Sequence, residues 1–149
     1  MFNKYLKTNN SGTTILIRLI TGLVFLTEGI QKFLYPDALG VGRFIKIGIP
    51  YPGLSAPFVG VVEIVAGAFL VIGLLTRFSA ILLLINISVA IITTKIPMLS
   101  GNFWTFTHES RTDFCMFLGT IFLLITGSGK WAVDYYIMKK SRAKPNIPE

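Results

Sequence analysis

Residues 57–75 read PFVGVVEIVAGAFLVIGLL, an apolar run whose single charged side chain is Glu63. About 20 apolar residues in a helix cross the ~30 Å hydrocarbon core of a bilayer, so this run predicts a transmembrane helix. Comparable runs lie at 14–34, 78–94 and 112–126. Together they predict an all-α, polytopic transmembrane four-helix bundle. A polar N-terminal tail (1–13) precedes the membrane domain (14–135), and a basic C-terminal tail (136–149) comes after it. The start of the chain is basic and then apolar, as in a signal peptide. The first run is too long for one, contains Arg18, Glu28 and Lys32, and lacks a small-residue cleavage site. It reads as a retained helix.

Composition agrees with a lipid environment. Of the 149 residues, 52% are hydrophobic and only 14% charged, against about 25% charged in soluble domains. Mean hydropathy is +0.67. The net charge of +7 does not point to nucleic acid, because five of the fourteen basic residues lie between Lys130 and Lys144 and the others fall mainly in loops. Cys115 is the only cysteine, which rules out an intramolecular disulfide or dithiol centre. Its place in an apolar helix reads as a small buried hydrophobe. One histidine cannot build a His-rich metal or haem site.

The connections are short or interfacial. Residues 35–56 carry three prolines and four glycines and read as a loop with a short interfacial helix over 38–47. Thr76 and Arg77 form a tight turn that makes helices two and three antiparallel neighbours. Residues 95–112, with Trp104 and His108, read as a second loop. A short amphipathic helix is expected around 131–138. Four spans put both termini on one side. That side holds Lys4, Lys7, Arg77, Lys130, Lys139, Lys140, Arg142 and Lys144, against Arg43, Lys46, Lys95 and Arg111 on the other. The excess places both termini on the cytoplasmic side of a bacterial-type plasma membrane.

Helical spacing then sorts the charges into two layers. Arg18, Gly22, Phe25, Gly29 and Lys32 share one face of the first helix. Arg18 and Lys32 stand about 21 Å apart along its axis. Glu63, Gly67, Leu70 and Leu74 share a face of the second. Asp113, Thr120, Leu124 and Gly127 do so on the fourth, with Glu109 one turn earlier. The outer layer therefore collects Glu28, Lys32, Glu63, Glu109 and Asp113, with His108 nearby, as an intramembrane polar pocket. The inner layer collects Arg18, Arg77 and Asp134. A charge at the centre of a spanning helix costs about 2.5–3.5 kcal/mol on insertion scales, so such groups should turn inward and pair. Lys32 with Glu63 is the preferred cross-helix pair. Plainer readings stay open: Arg18 and Lys32 snorkelling to the interfaces, Glu28, Lys32 and Glu63 as a structural pin, Glu109 and Asp113 as a solvated helix start, and His108 as an exposed loop residue.

With these positions in hand, the chain resembles the DoxX family of small four-helix membrane proteins over roughly residues 15–135. The resemblance rests on RLITGLVFLTEGIQKF, on GIPYPGLSAPFVGVVEIVAGAFLVIGLLTRFSA and on DFCMFLGTIFLLITGSGKWAVD. Arg18, Lys32, Glu63, Arg77 and Asp134 occupy family positions within them. The family usually has a small polar residue before a final Leu-Asp, where this chain has Ala132-Val133-Asp134. The resemblance implies a membrane subunit, since some relatives belong to a thiosulfate:quinone oxidoreductase. Others are linked to complexes handling superoxide, thiols or sulfur oxidants, and distant eukaryotic relatives act in cargo export. Three functions are compatible with these residues. The first is a non-catalytic or quinone-interacting subunit of a membrane redox complex, with no intrinsic cofactor and a protein partner supplying the electrons. The second is a scaffold or a binder of a small apolar ligand or lipid. The third is a small transporter, which would need a homo-oligomer. No self-sufficient catalytic motif or metal site is present, and the substrate is not legible.

Overall fold

A computed structural model of the chain describes residues 11–142. Residues 1–10 and 143–149 of the expected tails (1–13 and 136–149), with Lys4, Lys7 and Lys144, lie outside the described residues. The α-helices are, in chain order, α1 (Thr14–Leu34), α2 (Val41–Lys46), α3 (Pro52–Ile72), α4 (Thr76–Ala90), α5 (Phe103–Thr126) and α6 (Val133–Arg142). A π-helical turn, Ile91–Lys95, and a 3-10 stretch, Ile96–Ser100, join α4 to α5. No strand occurs among the described residues.

Thr14–Leu34, Pro52–Ile72 and Thr76–Ser100 are long and apolar enough to cross a membrane. α5, at 24 residues, rises about 36 Å, but its first half carries Glu109, Arg111 and Asp113. Large apolar side chains such as Leu16, Ile20, Phe58, Phe78, Ile85, Ile92 and Ile125 point outward. A layer of this kind on every long helix suits lipid and not water. The inward core is small and tight: Phe25, Ala66, Leu70, Ala80, Leu83, Ile87, Met116 and Leu123.

α1 and α3 pack most closely because glycines let their backbones meet. A Cβ on Gly22 would lie 2.9 Å from the Gly67 carbonyl oxygen, and one on Gly29 would lie 2.7 Å from that of Gly60. Small residues at such crossings are the usual route to tight packing in lipid. The Gly22 and Gly29 face is the one that carries Arg18 and Lys32, so the contact that joins the helices also turns both cations inward.

Several boundaries differ from those read in the sequence: α3 ends at Ile72 and not at 75, and Thr76 and Arg77, expected as the turn, already belong to α4, so the turn is residues 73–75. α3 starts at Pro52 and not at 57, with Tyr51 left-handed before it and Pro52 in its first turn, where the missing N–H costs nothing. Pro57 is then carried inside the helix. α5 starts at Phe103 and not at 112, because the Asn102 side chain accepts the N–H groups of Trp104 (2.9 Å) and Thr105 (3.3 Å) and so caps the helix. Most of the expected 95–112 loop is therefore helical, and Glu109 and Asp113 sit well inside α5, not at its start. Cys115 is exposed on α5, so it is no part of the core.

The α3–α4 turn is short. Gly73 is left-handed (φ 73) and closes α3, with the Leu74 N–H reaching the Phe69 carbonyl at 2.9 Å, a Schellman-type end. The Lys130 N–H reaches the Ser11 carbonyl at 3.1 Å, and the Asp134 N–H reaches that of Gly73 at 2.9 Å. The start of α1, the α3–α4 turn and the segment after α5 thus share one end of the bundle, the closed end. The opposite end holds a cavity.

Candidate functional site

At the closed end the charged groups are taken up by the backbone. Arg18 is buried and donates to the carbonyls of Ser128 (2.8 Å) and Trp131 (2.6 Å). Asp134, also buried, accepts the N–H groups of Leu75 (2.8 Å) and Thr76 (2.9 Å). It therefore caps α4 from a distant part of the chain, a favourable place for a carboxylate, and holds Leu75 in its left-handed conformation (φ 46). Arg77 donates to the Ile125 carbonyl at 2.8 Å. The expected inner layer is thus assembled, but not through ion pairs. Its three members tie the 125–134 segment to the ends of α1 and α4.

At the other end, periodicity brings side chains to each other. Lys32 of α1 and Glu63 of α3 form an ion pair at 2.5 Å, and both side chains are largely out of solvent. Asn86 of α4 donates to the second oxygen of Glu63 at 2.7 Å. One carboxylate therefore joins three helices, with each oxygen taken by a different donor. A carboxylate this deep needs such partners, since an unpaired buried charge is strongly destabilising.

A second pair stands further out. Lys95, the last residue of the π-turn, is buried and donates to the Glu109 carbonyl at 2.8 Å, and it lies 3.3 Å from the Asp113 carboxylate. Both pairs line one cavity of about 340 Å³. Glu28 and Arg43 also border it, and its three carboxylates are matched by three cations. The remaining wall is largely apolar, with Phe25, Phe44, Ile87 and Met116. α2 and the residues around it contribute Leu39, Arg43, Phe44, Ile47 and Ile49, so the Pro/Gly-rich connection covers the cavity mouth. A concave apolar site of a few hundred Å³ with a few convergent polar groups is the usual form of a small-molecule site.

Of the sequence-predicted pocket residues, Glu28, Lys32, Glu63 and Asp113 border this cavity and Glu109 does not. The Glu109 residue is exposed and contributes only its carbonyl, because in the longer α5 its side chain turns away from the residues that line the cavity. His108 is likewise exposed and pairs with Arg111 at 3.1 Å. Asn86 and Lys95 are not legible as site residues in the sequence. Asn86 is a lone amide in the most apolar helix, and its placement inside a span is itself a signal. Lys95 reads as a helix stop, and the π-turn that swings it inward has no sequence signature. Among the described residues no three His, Cys, Asp or Glu side chains come together as a metal site would require.

Comparison with known proteins gives four similarities. The family model described as DoxX matches residues 13–96, and the one described as "TQO small subunit DoxD" matches residues 55–147. The chain is 49% identical over 138 residues to "Uncharacterized membrane protein Rv3486" of Mycobacterium tuberculosis, covering 88% of this chain and 85% of that one. It is 30% identical over 126 residues to "Putative oxidoreductase CatD" of Bacillus subtilis, covering 85% and 87%. No solved structure matches.

Proposed function

The chain belongs to the DoxX family of membrane proteins, and from that premise we propose that it is a quinone-interacting, non-catalytic subunit of a membrane redox complex. The observation that carries the proposal is the Lys32–Glu63–Asn86 chain set in the wall of an otherwise mainly apolar cavity. A quinone needs an apolar slot for its ring and a donor for each carbonyl oxygen, and its quinol form needs acceptors. The Lys32 ammonium has three protons, of which one is given to Glu63. Asn86 gives one amide proton to Glu63 and keeps a second donor and a carbonyl. Glu63 is the acceptor placed to receive a hydroxyl.

A bound quinone would supply the two-electron, two-proton carrier, with the electrons coming from a redox centre on a partner protein. The match to a model described as a small subunit and the similarity to a protein named as an oxidoreductase support that division of labour. The chain's own part is to bind the ring, exclude water from it and hold protons at Lys32 and Glu63. The closed end, where the sequence places most of the basic residues, is assigned to the cytoplasmic side of the plasma membrane.

The test is titration of a short-tailed quinone into the protein in nanodiscs. Saturable binding at one quinone per chain is expected, weakened at least tenfold by Glu63→Gln and by Lys32→Met in variants that still run as folded protein. Partition into protein-loaded discs no greater than into empty ones contradicts the proposal. Saturable uptake of a phospholipid, with no quinone bound, would instead support a lipid-binding scaffold.

A further inference from the structure

The cavity has two polar poles, and a single carbonyl contact at Lys32 engages only one of them. The inner pole is Lys32, Glu63 and Asn86. The outer pole is Lys95, Asp113 and the Glu109 carbonyl. We propose that the site holds its ligand at both ends, with Lys32 on one polar atom and Lys95 on the other, and is therefore built for a ring carrying acceptors at opposite ends, a 1,4-dicarbonyl. This inference rests on the quinone proposal and adds to it the orientation of the ring and a second binding residue.

Three observations lead there. The first is placement. Asn86 and Lys95 lie on one continuous helical stretch, nine residues apart, which is about 13 Å of rise for regular helix. Helical side chains lean back toward the N-terminus, so the Lys95 stem returns toward the level of Asn86 and shortens that gap. The second is the π-turn. Ile91–Lys95 is the only π-helical segment among the described residues, and two of its residues, Thr93 and the terminal Lys95, line the cavity. π-turns in α-helices recur at functional sites, because the extra residue re-aims the side chains beyond it. A lysine that only marked the membrane edge would be expected to snorkel outward, whereas this one is buried and turned toward α5. The third is unspent capacity. Lys95 gives one proton to the Glu109 carbonyl and one toward Asp113, which leaves one of its three. Between the poles the wall is apolar, with Ile87, Ala90 and Met116, as the faces and edges of a ring require.

The experiment uses 2-methyl-1,4-naphthoquinone, whose two carbonyls are inequivalent, labelled with carbon-13 at either the first or the fourth carbon, bound to the full chain in nanodiscs and read by infrared difference spectroscopy. Both carbonyl bands should lie below their positions in empty discs. Lys95→Met should return one labelled band to the free position and weaken binding about tenfold, the loss of one charge-assisted hydrogen bond. Lys32→Met should return the other band. Lys95→Arg should keep both lowered. If Lys95→Met does not stay monodisperse, Asp113→Asn, which keeps Lys95 and its bond to Glu109 and removes the competing carboxylate, should lower the same labelled band further and leave the other unchanged. If the quinone binds but both bands and the affinity ignore Lys95→Met, the two-ended grip is wrong and the quinone proposal stands. If wild-type protein binds no quinone, both fall together.

Discussion

The two ends of this bundle use the same side-chain chemistry in opposite ways. At the closed end Arg18, Arg77 and Asp134 are all spent on backbone groups, two cations on carbonyls and one carboxylate on a pair of N–H groups. None of the three lines the cavity at the opposite end. At the cavity end Lys32 pairs with Glu63 and Lys95 with Asp113, side chain to side chain, on the wall of the cavity, and Lys95 also donates to the Glu109 carbonyl. A charge held by distant backbone groups fastens the chain. One that satisfies another side chain can be shared with a ligand. Burial alone does not separate the two uses, since Asp134 and Glu63 are both buried. A charged side-chain partner on the cavity wall does.

Substitutions should separate the ends by readout. The largest losses of stability are expected from one variant at each end. Asp134→Ala removes two charge-assisted bonds at once and leaves the start of α4 uncapped, a loss of about 3 kcal/mol or more. It should lower Tm in detergent sharply, and protein that stays folded should bind ligand as before. Comparable is Lys32→Met, which strands a buried carboxylate at a cost of about 3–5 kcal/mol. The double variant Lys32→Met with Glu63→Leu should recover most of that stability without recovering ligand binding. A double variant as unstable as Lys32→Met alone would mean that the pair is no different from the closed end.

Smaller effects sharpen the same contrast. Asn86→Ala removes one bond to a charged oxygen and should cost about 1.5 kcal/mol, with a several-fold loss of ligand affinity that Asp134→Asn does not share. Glu109→Gln should change stability by no more than about 0.5 kcal/mol, measured by thermal unfolding, because the carboxylate is exposed and only the carbonyl contributes to the outer pole. Loss of ligand binding in Glu109→Gln would mean that the cavity reaches further than its lining residues indicate.

Much of this is legible in the sequence, and the misses have physical causes. The helical face holding Arg18, Gly22, Gly29 and Lys32 is readable because the 3.6-residue period is indifferent to context. It leads to Lys32 and Glu63 at one depth, where the structure has them in contact. The closed-end trio is readable as a layer but not as to its partners, because backbone carbonyls carry no sequence label. Glu109 is misassigned through the start of α5, a boundary decided by the Asn102 side chain rather than by the apolar run. Asn86 and Lys95 are hidden for different reasons. One polar side chain barely lowers the hydropathy of its helix, and a π-turn shifts the register of every residue after it.

The most direct measurement is the ligand-induced shift in Tm of the stability-recovered double variant, Lys32→Met with Glu63→Leu, beside wild type. At a quinone concentration of about 100 times Kd the wild-type chain should gain about 2.7 kcal/mol, a clear rise in Tm, and the double variant should gain none. An equal rise in both proteins would show that the ligand sits elsewhere and that the Lys32–Glu63 pair only holds helices together.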